Sequence, residues 1–161
     1  MQDIIAKLTA KDDKYACAIA DKIISESQDT DKWYDFFDAF AALLNHPKSL
    51  VRNRVLYILS ANAQWDDENR FDAIISDYLS HVTDDKPITA RQCIKALAQV
   101  GKAKPQYIPR ILSCFQEADL SKYIGEVFFC QAFLFIIYNN LFILCYFLSH
   151  FSENVKKSSF I

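Results

Sequence analysis

The 161 residues fit one domain, long enough to bury a core without disulfides or a structural metal. Hydrophobic residues make up 52% of the chain, while two glycines and four prolines leave little material for hairpins or linkers, which argues against a sheet-rich fold. A formal charge of -2, from 18 basic and 20 acidic side chains, argues against the broad positive field of a protein that works by gripping phosphates.

From Asp12 onward, apolar residues recur at three and four positions, the spacing that lines one side of an α-helix. The first stripe is Ala16, Ile19, Ala20, Ile23 and Ile24, and the second is Trp33, Phe36, Phe37, Phe40, Leu43 and Leu44. Val51, Val55, Ile58 and Leu59 follow, then Phe71, Ile74, Ile75, Tyr78, Leu79 and Val82. The last two are Ile94, Leu97 and Ala98, then Ile108, Ile111, Leu112 and Phe115, so the interval 12–116 is predicted to hold six helices in three antiparallel pairs. Asp29, Thr30 and Asp31 are placed to cap the helix containing Trp33. Pro47, Pro87 and Pro105 sit at helix starts, where a missing N–H has no helical partner to lose. Gly101 is placed to close the helix that ends at Val100 in the left-handed conformation.

Chemistry-bearing residues are scattered. Cys17, Cys93, Cys114, Cys130 and Cys145 form no C-x-x-C pair, and His46, His81 and His150 lie away from them, so no metal site and no cofactor is expected. Cys17 and Cys93 fall on apolar faces, where cysteine acts as a small hydrophobe. His46 precedes Pro47 and is expected to shape a turn. Neither a glycine-rich phosphate loop nor a nucleophile with base and orienting acid can be assembled, which argues against an ordinary enzyme. The first fifteen residues lack a basic segment followed by an apolar core, so the cytoplasm is the expected compartment.

Three segments overlay: DDKYACAIADKIIS from Asp12, PKSLVRNRVLYILS from Pro47 and KPITARQCIKALAQ from Lys86, spaced by 35 and then 39 residues. Val55, Ile58 and Leu59 match Ile94, Leu97 and Ala98, and Arg52 matches Arg91, whereas Cys17 stands in that slot of the first copy. A period of this length marks stacked supersecondary units. HPKSLVRNRVLYIL and DKPITARQCIKALAQVG resemble the second helix of a HEAT repeat, with a turn, a small or branched apolar residue, an arginine and an apolar run. Over about residues 12–123 the order of segments is similar to that of short bacterial HEAT-repeat proteins. The resemblance implies an all-α superhelix, a HEAT-like (armadillo-like) α-solenoid. It also implies that Arg52 and Arg91 make inter-repeat hydrogen bonds to a turn carboxylate or a backbone carbonyl.

After Tyr123 the chain departs from that pattern, which divides it into a repeat domain, 1–123, and an atypical hydrophobic tail, 124–161. Residues 127–148 carry no charge. As a helix they would span about 33 Å, enough for a bilayer core of about 30 Å, so membrane attachment is one reading. Asn139 and Asn140 inside the run, and Lys156 and Lys157 beyond it, oppose that reading. Eight of the thirteen phenylalanines but only two of the twenty acids fall after Tyr123, a composition that also fits a frameshifted or divergent gene end.

The candidate partner surface comprises Arg54 and Arg70, whose planar guanidinium groups suit carboxylate or phosphate, and Trp65, Asp66, Trp33 and Tyr34. The competing reading makes the acids after Trp65 a helix cap and Trp65 a core closure. Two functions stay open: a non-catalytic scaffold or adaptor that binds a protein, and a HEAT-like nucleic-acid-binding protein of the DNA alkylation-repair type. The second needs a cationic concave face that these residues do not provide.

Overall fold

In the computed structural model, which describes residues 2–123, 125–127 and 130, every regular element is helical. The α-helices are α1 (Gln2–Leu8), α2 (Asp13–Glu26), α3 (Phe37–Ala41), α4 (Ser49–Asn62), α5 (Phe71–Ser80), α6 (Pro87–Ala103) and α7 (Ile108–Glu117). Short 3-10 turns at Tyr34–Phe36, Ala63–Trp65, His81–Thr83, Pro105–Tyr107 and Ser121–Tyr123 fill the corners. Each of the six predicted stripes has members on one of α2 to α7, though Trp33, Phe36, Leu43, Leu44 and Val82 lie in the adjoining turns, and α1 is an addition: four apolar residues in seven give a signal too short to register, yet Leu8 is fully buried.

Local chemistry accounts for most boundaries. Asp12 accepts from the Tyr15 N–H and caps α2, while Pro87 opens α6 and Pro105 opens a 3-10 turn. Pro47 lies two residues earlier relative to its helix than Pro87 does, because Lys48 is the N-cap of α4 and its N–H bonds to His46 Nδ1 at 3.1 Å. Two expectations are corrected. Asp29, Thr30 and Asp31 make no side-chain cap; the Thr30 hydroxyl bonds back to the Glu26 carbonyl, and the stretch around Trp33 becomes a 3-10 turn followed by the five-residue α3. Gly101 does not end its helix: α6 continues to Ala103, and Gly101 is buried inside it with an ordinary negative φ. The left-handed backbone instead occurs at Asn69, φ 56°, in the turn before α5.

The helices form two rows. In one, α4 packs between α2 and α6. Lys48, at the start of α4, meets Asp13 at the start of α2, and Asn62, at the end of α4, donates to Ser27 just past α2, so the two helices run in the same direction. Arg52, in the first turns of α4, reaches Asp84 and Asp85 just before α6, which gives α6 that direction too. In the other row, Phe37 of α3 packs on Phe71 of α5 at 5.7 Å between ring centroids, and Phe71 on Tyr107 at 5.9 Å. Helix α5 doubles back along α4, since Tyr78 near its end donates to the Leu56 carbonyl at 2.7 Å.

One continuous core lies between the rows, built on Phe37, Phe40, Val55, Ile58, Phe71, Tyr78, Ile94, Leu97, Ile111 and Phe115. Cys93 belongs to it, but Cys17 is exposed on α2: with alanines around it, the first stripe is narrow and turns that position outward. Val127 and Cys130 are buried and join the core. The remainder of the apolar run 127–148, with Cys145 and His150, lies outside the described residues. Among the described residues no helix is long and apolar enough to cross a membrane.

Candidate functional site

Hydrogen bonds between units recur at sequence separations close to the period. Lys48 to Asp13, Tyr57 to Gln92, Asn62 to Ser27 and Tyr107 to Asp72 are each 35 residues apart, Arg110 to Ser76 is 34, and Arg52 to Asp84 is 32. Most of the polar residues expected to face a partner belong to this system of ties.

Asp66 is the clearest case. Its side chain is fully buried, and it accepts from the Tyr34 hydroxyl at 2.6 Å and from the backbone N–H groups of Arg70 at 2.7 Å and Phe71 at 3.2 Å. It thus caps the start of α5. Lys104 Nζ completes the group, 3.3 Å from Asp66 Oδ2, 3.3 Å from Asn69 Oδ1 and bonded to the Asp66 carbonyl. Three successive units contribute to this cluster, the first through Tyr34, the second through Asp66 and Asn69, and the third through Lys104. The turn that contains the left-handed Asn69 thus supplies every acceptor that Lys104 meets here, the Asp66 carbonyl and the side chains of Asp66 and Asn69. Burial, with the Asp66 carboxylate accepting its proton, pushes the Tyr34 phenol above its ordinary range, so it stays a donor.

The surface reading of Asp66 and Tyr34 is therefore corrected: both are internal ties. Trp65 closes the same region as a half-buried side chain whose Nε1 donates to the Ser27 carbonyl at 2.8 Å. Trp33 is half-buried too, donating to Glu26 at 2.8 Å, with Lys32 over its ring at 5.1 Å. Arg70 lies over the Tyr34 ring at 4.8 Å and pairs with Glu68 at 2.7 Å and Asp38 at 3.6 Å. Arg54 is likewise corrected. Only 5% exposed, it donates to the Leu8 carbonyl at 3.0 Å and to Asp13 Oδ1 at 2.8 Å, and so fixes α1 to the start of α2. A guanidinium held inside by these acceptors has no face left for a partner.

Arg52 and Arg91 part company. Arg52 makes a bidentate pair with Asp84 at 2.9 and 2.7 Å, adds Asp85 at 3.0 Å, and donates to the His46 carbonyl at 2.9 Å. Arg91 is half exposed and pairs with Glu126 at 2.9 Å, 35 residues on. Asp84 also accepts from the Lys86 N–H at 2.9 Å and faces His81 Nδ1 at 2.9 Å. Burial works against its charge, but the bonds from Arg52, the Lys86 N–H and His81 outweigh burial and hold the carboxyl well below the usual carboxylate range. A group whose folded pKa is depressed stabilises the fold fully above its unfolded value and loses that contribution as pH falls through the folded one. The stability difference between the parent and Asp84→Asn is therefore expected to be largest above about pH 4 and to shrink steadily below it. Urea titrations at pH 6, 4 and 3 measure it, and a constant difference would contradict the assignment.

The Cys93 thiol is buried and pushed upward by burial, with its Sγ donating to the Tyr78 carbonyl. Among the described residues no cluster of histidine, cysteine and carboxylate could hold a metal ion.

The outward side of the α2–α4–α6 row is different in kind. Among the described residues the large apolar side chains left exposed are Tyr15 at 45%, Leu50 at 41% and Ile88 at 61%. One stands in the first turn of each helix of the row, at the same edge. Toward the other end of the row lies a groove of about 480 Å³ lined by Gln28, Gln64, Lys95, Ala98, Gln99, Lys102 and Ala103. Sequence reasoning passed over these residues because it looked for aromatic and arginine anchors. The spacing of Lys95, Gln99 and Lys102, at one-turn and two-turn intervals in a helix without an acid, was the available signal. Comparison with protein-family models, with curated proteins and with solved structures finds no match for this chain.

Proposed function

We propose that this chain is a short HEAT-type α-solenoid that acts as a non-catalytic scaffold or adaptor, docking a protein on the outward side of the α2–α4–α6 row. Hydrogen bonds repeating at separations of 32 to 35 residues support the stacked-unit reading, because each unit then satisfies its polar groups on its neighbours. One observation carries the binding reading: the exposed Tyr15, Leu50 and Ile88 fall one per unit, each in the first turn of a helix that starts at the same edge of the row. Single exposed apolar residues are ordinary on any surface, but one at the same end of each of three neighbouring helices is what a partner spanning several units would use.

Site-directed photo-crosslinking tests this in cells. A photo-reactive amino acid in place of Leu50 or Ile88 is expected to give a discrete protein adduct, and one in place of Asp77, exposed on α5, is expected to give none. Adducts from the Asp77 position alone, or adducts with nucleic acid, would overturn the proposal.

A further inference from the structure

The groove at the other end of that row has a composition of its own. Helix α6 carries Arg91, Lys95 and Lys102 and no acid. Lys95 and Lys102 are exposed, and among the described residues neither has an ion pair, although Arg91 is matched by Glu126. Three glutamines, Gln28, Gln64 and Gln99, line the groove with these two lysines. The Gln64 amide nitrogen donates to the Ser27 carbonyl at 2.6 Å and that of Gln28 to the Ile24 carbonyl at 3.3 Å, leaving both amide oxygens as acceptors. Gln99 offers both donor and acceptor. An amide that donates and accepts is the natural complement of a peptide backbone, and an unpaired ammonium is the complement of a carboxylate.

We infer that this groove binds an extended, acidic polypeptide segment, with Lys95 and Lys102 taking two of its carboxylates and the glutamines taking its backbone. The inference rests on the scaffold reading and adds the chemistry of the partner. Spacing decides which acids fit. Lys95 and Lys102 are seven residues apart on one helix, about 10.5 Å along its axis. In an extended segment of polyproline II type, with three residues per turn and a rise of about 3.1 Å per residue, residues three apart share a face at about 9 Å, so acids at every third position match the two ammonium groups. Nucleic acid fits less well. Two lysines are few beside the six to ten phosphate contacts from which such binding draws its affinity. The row on the other side also exposes Asp35, Asp38, Asp72 and Asp77, which repel a polyanion longer than the groove.

The test uses the full chain and a fluorescein-labelled peptide, Glu-Ser-Ser-Glu-Ser-Ser-Glu, followed by anisotropy at low salt. Saturable binding is expected, weakening as salt is raised, at least about fivefold weaker with Lys95→Glu and Lys102→Glu together, and kept with Lys95→Arg and Lys102→Arg. Both positions are exposed on a helix, so the variants should hold their fold, and circular dichroism checks this. Unchanged binding by the charge-reversed protein would overturn the inference. So would equal binding of the peptide with glutamine in place of glutamate, or tighter binding of a ten-nucleotide single-stranded DNA to the same groove. If the peptide fails while crosslinks from the Leu50 or Ile88 position persist, the scaffold reading stands and the acidic ligand is removed.

Discussion

Replacing Asp66 by alanine is expected to destabilise the protein by about 3–5 kcal/mol, the range for removing one partner of a buried charged pair. Three losses combine. The N–H groups of Arg70 and Phe71 lose their cap, the Tyr34 hydroxyl is left without an acceptor, and the Lys104 ammonium loses a carboxylate at 3.3 Å. Asp66→Asn keeps an oxygen for the cap and discards the charge, so it should fall between the parent and the alanine variant. For a chain of this length, 3 kcal/mol lowers the melting temperature by roughly 6–12 °C. Calorimetry reads this directly. A loss below about 1 kcal/mol would mean that the cluster fills space rather than joining three units.

The apolar side of this fold was legible in the sequence, and its polar side was not, for a definite reason. A stripe such as Val51, Val55, Ile58 and Leu59 is a local pattern, and burial follows from its period wherever the helix packs. The direction of a polar side chain depends on what the neighbouring unit presents. Tyr34 and Asp66 lie 32 residues apart, and Arg54 reaches back 46 residues to the Leu8 carbonyl of a helix too short to announce itself. Polar type suggested surface for Tyr34 and Arg54, whereas their partners made them interior; for Asp66 the helix-cap reading was the right one, and only its burial under Tyr34 and Lys104 was out of reach. Arg52 was legible because its slot belongs to a repeated motif, and Arg91 departs from it: at the corresponding place it meets Glu126 instead of a turn carboxylate. Gly101 misled in another way, since a glycine near a helix end signals a cap only when the backbone turns left-handed there, and here the helix continues.

A larger effect is expected from a charge placed in the shared core. Val55 and Ile94 are both fully buried, in α4 and α6, the two helices with the most extensive mutual packing. Val55→Asp or Ile94→Asp leaves a carboxylate with no partner in an apolar surround, a cost above about 4 kcal/mol. Since both residues belong to one continuous core shared by all the helices from α2 to α7, the loss should spread through the fold rather than stay in one helix. Far-ultraviolet circular dichroism is expected to show a large fall in helicity at 25 °C for either variant. An unchanged melting curve would refute the packing assigned to the α4–α6 contact.

The ties between units also bear on how the chain comes to be folded as it is made. Each reaches only to an adjacent unit, about 35 residues away. At about 5–20 residues per second of synthesis, one unit waits roughly 2–7 s for the next to emerge. When Lys48 appears, Asp13 has already been synthesised, and when Lys104 appears, so has the Asp66 turn. Pairing between neighbours can therefore begin as soon as each next unit leaves the ribosome, while the shared core closes only when the last of them has emerged.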